Sequence, residues 1–106
     1  MPRKDFTKAE LRTLRDLAGT AYERELDAAL KEFAADVDDW RAGRINAFDL
    51  SDCIHEFHNT TARELWKLYN GLKPPFIVTS ALERGVLVES DVPGPLRARL
   101  RARFPA

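Results

Sequence analysis

Cysteine is nearly absent from this chain. The lone Cys53 leaves no intrachain disulfide to form, and a single thiol suits a reducing cytosol. Long apolar runs are missing too. The longest, Phe76-Ile77-Val78 and Val86-Leu87-Val88, fall far short of the ~20 residues that a membrane-spanning helix needs. The opening Met-Pro-Arg-Lys-Asp carries no apolar h-region, so no secretory signal is expected. Net charge is absent as well, with 17 basic residues against 17 acidic. That balance weighs against a general coat for nucleic acid or anionic lipid. No phosphate-cradling glycine loop, no Cys pair and no Ser/His/Asp or Cys/His nucleophile set occurs. These absences predict a cytoplasmic, non-enzymatic protein without cofactor or metal. An excess of arginine over lysine, with abundant alanine, points to a GC-rich bacterial genome.

What is present is helical pattern. From Thr7 to Gly43, Leu11, Leu14, Ala18, Tyr22, Leu26, Leu30, Phe33, Val37 and Trp40 recur at a mean spacing of about 3.6 residues. Thr7-Lys-Ala-Glu10 has the capping-box spacing, and Gly43 suits the left-handed turn past a helix end. The spacing therefore predicts one helix over about 8–42, ~50 Å long at 1.5 Å per residue. A compact domain of this length has a radius of gyration near ~13 Å, so the rod is expected to overhang its own globule. Gly19 inside it marks either a kink or a close helix–helix contact.

Four shorter helices follow. Asn46 caps the first, whose Ala47, Leu50, Cys53, Ile54 and Phe57 share a face, and which should stop near Asn59. Thr61-Ala-Arg-Glu64 is a further capping-box spacing, opening a helix with Ala62, Leu65, Trp66 and Tyr69 on its buried stripe and Asn70-Gly71 at its end. Pro75 opens the next, which Gly85 stops, and Pro95 begins the last, running to about Phe104. The linker between them buries its Val and Leu side chains. The fold class is all-α, one long N-terminal helix with four shorter helices packed against it, and residues 1–106 form a single helical domain.

Charge along the long helix runs against its macrodipole. Residues 3–15 carry a net +3 and residues 23–39 a net −5, whereas the dipole favours acid first and base last. A second copy laid antiparallel would set each basic end beside an acidic one under two-fold symmetry. The Arg-rich last helix folding back over Asp36, Asp38 and Asp39 would do the same within one chain.

Two clusters could carry chemistry. His55-Glu56-Phe57-His58 sets two imidazoles at i and i+3, with Asp52 before them and Glu25, Glu32 and Asp36 along an edge of the long helix. On a helical wheel, however, His58 flanks the buried stripe while His55 points about 130° from its centre, and Cys53 lies on the other side. In the last helix Arg97, Arg99, Arg101 and Arg103 bracket an apolar seam of Leu96, Leu100 and Phe104. Such a seam suits an acidic groove or phosphates, or else snorkels at the edge of the protein's own core.

The resulting expectation is a small helical protein-interaction module (regulator, adaptor or inhibitor), self-associating as a homodimer through its long helix. Its interaction surface comprises His55, Glu56, His58, Arg63, Arg97, Arg99, Arg101 and Arg103. A nucleic-acid-associated regulator using the last helix, and a metal-binding helical protein centred on His55 and His58, are the alternatives.

Overall fold

The computed structural model describes residues 6–104. Among them there is no strand, and the fold is all-α as expected. The elements are α1 (Lys8–Arg41), α2 (Ala47–Phe57), a π-helical segment (His58–Ala62), α3 (Arg63–Gly71), α4 (Pro74–Glu83), a 3-10 turn (Glu89–Asp91) and α5 (Gly94–Arg103). The basic residues expected at Arg3 and Lys4 lie outside the described residues. α1 is a single unbroken helix of 34 residues. Its start is closed reciprocally: the Thr7 N–H donates to Glu10 Oε1 (2.8 Å) and the Glu10 N–H to Thr7 Oγ1 (3.1 Å). It ends at Gly43, whose φ of 78° is open to glycine at no steric cost. The helix passes through Gly19 without interruption, and a Cβ placed there would meet nothing within 4 Å. The expected close helix contact at that position is therefore not made among the described residues.

The chain divides into two compact units, one formed by residues 1–22 with 72–106, the other by 23–71, so that α1 contributes to both. The first unit holds nearly all of the core. Leu14, Ala21, Val78 and Ala81 are completely buried there, and Ile77, Leu87, Val92, Leu96 and Leu100 nearly so. After α4 the chain turns at Gly85 (φ 76°), and the Val86 and Leu87 N–H groups both donate to the Ala81 carbonyl. That turn aims Leu87 inwards and leaves Val88 outside, a split the linker reading did not separate. Phe6 is buried beneath the Arg99 guanidinium, 5.4 Å from the ring centroid.

The second unit is an antiparallel pair, the later part of α1 against the α2–α3 segment. Asn46 opens α2 with a full capping box: its side chain accepts from the Asp49 N–H (2.8 Å), and Asp49 Oδ2 accepts from the Asn46 N–H (3.0 Å). The expected stop near Asn59 is not there. The backbone stays helical from His58 (φ −64°, ψ −44°) to Arg63 (φ −68°, ψ −41°), widened to a π turn. Thr61, expected to cap a new helix, instead lies within this continuing segment, and beside it Thr60 Oγ1 donates to the Glu56 carbonyl (2.6 Å). Within the unit, Phe33 and Phe57 rings stand 5.1 Å apart, and the Tyr69 hydroxyl donates to Glu25 Oε2 (2.5 Å).

The expected buried stripes need correction in this unit. Only Tyr69 is buried; Leu30 is 45% exposed, Trp40 43% and Trp66 59%. In the first unit, by contrast, Leu17 and Ala21 are buried although the stripe omitted them. A two-helix layer covers one side of each helix and leaves the flanks wet. A single stripe averaged over all of α1 therefore describes neither stretch.

Candidate functional site

Where α1 faces α2 and the π segment in the second unit, a cavity of about 270 Å³ opens among Phe33, Cys53, Phe57 and the carboxylates of Glu32, Asp36 and Glu56. The π turn widens the helix here, and π bulges recur at functional positions. The Cys53 thiol shares the cavity wall with the Asp36 carboxylate. Partial burial, then the charges of Asp36, Glu56 and Asp49, push that thiol above its ordinary value. It is a protonated, weakly nucleophilic group, unsuited to covalent chemistry. Among the described residues, no three His, Cys, Asp or Glu side chains are placed to hold a metal ion.

The sequence-derived surface is only partly brought together. His55, Glu56, His58 and Arg63 are all exposed along the α2–π–α3 segment, but only Glu56 lines the cavity. His58 is exposed rather than at the edge of a buried stripe; its backbone N–H is shared between the Ile54 and His55 carbonyls. Of the three acids expected along one edge of α1, Glu32 and Asp36 line the cavity while Glu25 binds Tyr69.

The arginines of α5 lie in the other unit and are mostly engaged there. Arg101 pairs with Glu89, Arg97 lies 3.9 Å from the same carboxylate, and Arg99 pairs with Glu10 at 3.3 Å while covering Phe6. Arg103 is exposed. The guanidiniums of Arg99 and Arg101, held on internal carboxylates, have little left for phosphates.

Two features escaped sequence reasoning. First, the second unit exposes Leu30, Trp40, Phe48 (82%), Ile54 and Trp66, a load of uncovered apolar side chains for 49 residues. Second, charge sorts by unit. Residues 1–22 and 72–106 hold eleven basic against six acidic residues, +5, and residues 23–71 hold six against eleven, −5. The segment charges along α1 hinted at this. The unit boundary that makes it total was not visible in the sequence. No family model, curated protein or solved structure matches this chain. Among the described residues, no helix is long and apolar enough to cross a membrane.

Proposed function

We propose that this protein is a small, non-enzymatic helical interaction module of the bacterial cytoplasm that pairs with a second copy of itself. The two copies lie antiparallel, the basic unit of each against the acidic unit of the other, under two-fold symmetry. The observation that carries this reading is the division of the chain into a +5 unit and a −5 unit. A chain of zero net charge organised in that way offers its best electrostatic complement in its own copy. On the basic unit, Arg12 and Arg15 are exposed on α1 with no ion pair among the described residues. On the acidic unit, Glu32, Asp36 and Glu56 make no ion pair among the described residues. The exposed Leu30, Ile54 and Trp66 supply the apolar part of the contact. Helix pairs with wet apolar flanks are completed by further helices in four-helix bundles.

Light scattering combined with size exclusion tests the reading. At ~0.01 M salt the protein is expected at twice its 12.1 kDa chain mass. It should shift towards the monomer as salt rises to ~1 M and the screening length falls from about 30 Å to 3 Å. Trp66→Ala should weaken pairing about 10-fold or more without loss of helical content, because the indole is already 59% exposed in the single chain. A monomer at high concentration and low salt overturns the proposal.

A further inference from the structure

The basic unit carries a second, larger cavity. It measures about 760 Å³, within the ~300–1,000 Å³ span of small-molecule sites. Its walls are aliphatic and aromatic: Leu82 from α4, Leu87 and Val88 from the turn that follows, Leu100 and Phe104 from α5 and its end. Val88 is 54% exposed, so this apolar surface is open to solvent among the described residues. The Phe104 ring is held edge-on against Phe76 at 5.0 Å, which fixes one wall.

Charge at the same cleft is unevenly satisfied. Arg97, Arg101, Glu83 and Glu89 all line it. Glu89 is committed to Arg101 through Oε1, while Arg97 Nη1 stands 3.9 Å from its other oxygen, beyond hydrogen-bond reach. Glu83 makes no ion pair with Arg97 among the described residues. The Arg97 side chain is 37% exposed, and its ion pair with Glu89, at 3.9 Å, is too long to be a hydrogen bond. A partly desolvated guanidinium, held over an apolar wall, calls for a planar anion joined to an apolar body. Carboxylates match its fork with two parallel hydrogen bonds.

We propose that this cleft binds a small amphipathic carboxylate, a medium-chain carboxylic acid. The alkyl body lies along Leu82, Val88 and Phe104, over the buried Leu87 and Leu100, and the carboxylate sits on Arg97. This site belongs to the basic unit alone and does not depend on self-association.

Titration of the full-length protein with decanoate, followed by amide chemical shifts and calorimetry, tests the assignment. Decanoate should bind below its micelle-forming concentration, with shifts concentrated at residues 82–104. Octanoate should bind severalfold more weakly, because two methylenes fewer leave water. Decanol should bind at least about 10-fold more weakly, lacking the charge. Arg97→Gln should lower decanoate affinity about 10-fold or more and bring acid and alcohol level. Its helical circular dichroism should stay unchanged, which separates lost recognition from lost fold. Absence of binding, equal affinity of acid and alcohol for the unaltered protein, or shifts centred on residues 23–71 would each overturn the proposal.

Discussion

At Cys53 the surroundings decide the chemistry. Burial of the thiol, with the charges of Asp36, Glu56 and Asp49 nearby, raises it above its ordinary value. Thiolate formation is therefore suppressed, and alkylation, which proceeds through the thiolate, should be slow at neutral pH. Asp36→Asn removes one of those charges and moves the thiol back towards its ordinary value. The expected outcome is iodoacetamide labelling severalfold faster than for the unaltered protein at pH 8, with the pH dependence of the rate displaced to lower pH. Stopped labelling with mass-spectrometric readout checks it, and an unchanged rate would show that burial alone governs the thiol. The side of the helix on which Cys53 lies was legible from spacing. Its acidic company was not, because Asp36 is seventeen positions away and meets it only through packing of α1 on α2.

Among the elements, the signals that rest on local chemistry were the readable ones. Thr7 with Glu10 and Asn46 with Asp49 close their helix starts reciprocally, and Gly43 and Gly85 take positive φ where glycine was expected to end a helix. Asn46→Ala should cost about 1 kcal/mol, whereas Asn46→Gly should cost only a few tenths. Thermal unfolding of the two variants, with amide exchange at residues 47–50, measures the difference. No loss in either variant would mean that the side-chain acceptor contributes nothing. The capping-box spacing at Thr61–Glu64 misled for a physical reason. Thr61 stands inside a backbone that stays helical from His58 to Arg63, and the neighbouring Thr60 hydroxyl bonds the carbonyl four residues back, as hydroxyls inside a helix can. Only packing along the whole segment chooses between a break and a widened turn. Spacing carries no record of that choice.

For the molecule as a whole, burial is divided as unequally as charge. Apart from Tyr69, every buried apolar side chain belongs to residues 6–22 and 72–104. Each fully buried aliphatic side chain contributes about 1.5–3 kcal/mol, so the acidic unit has few such contributions of its own. Local opening follows the density of buried apolar contact. Hydrogen exchange should therefore run faster over residues 23–71 than over α4 and α5 in dilute protein. It should slow over 23–71 as concentration rises, if a second copy covers Ile54 and Trp66. Protection independent of concentration would count against that cover. The long helix and the helix count were legible because periodicity is a property of each segment alone. The distribution of the core was not, since it depends on which helix lies across from which.

The π segment between Phe57 and Arg63 has a further consequence. Because the chain never leaves the helix there, the azimuth of α3 is set by the number of residues in between rather than by any one side chain. Shortening that stretch by a single residue would rotate everything beyond it by ~100° about the helix axis. Tyr69 would swing off Glu25, and the indole of Trp66 would point in a new direction. Substitutions at Asn59 or Thr61 leave that count untouched. In this segment the length of the polypeptide, more than its lettering, determines which surface the protein presents.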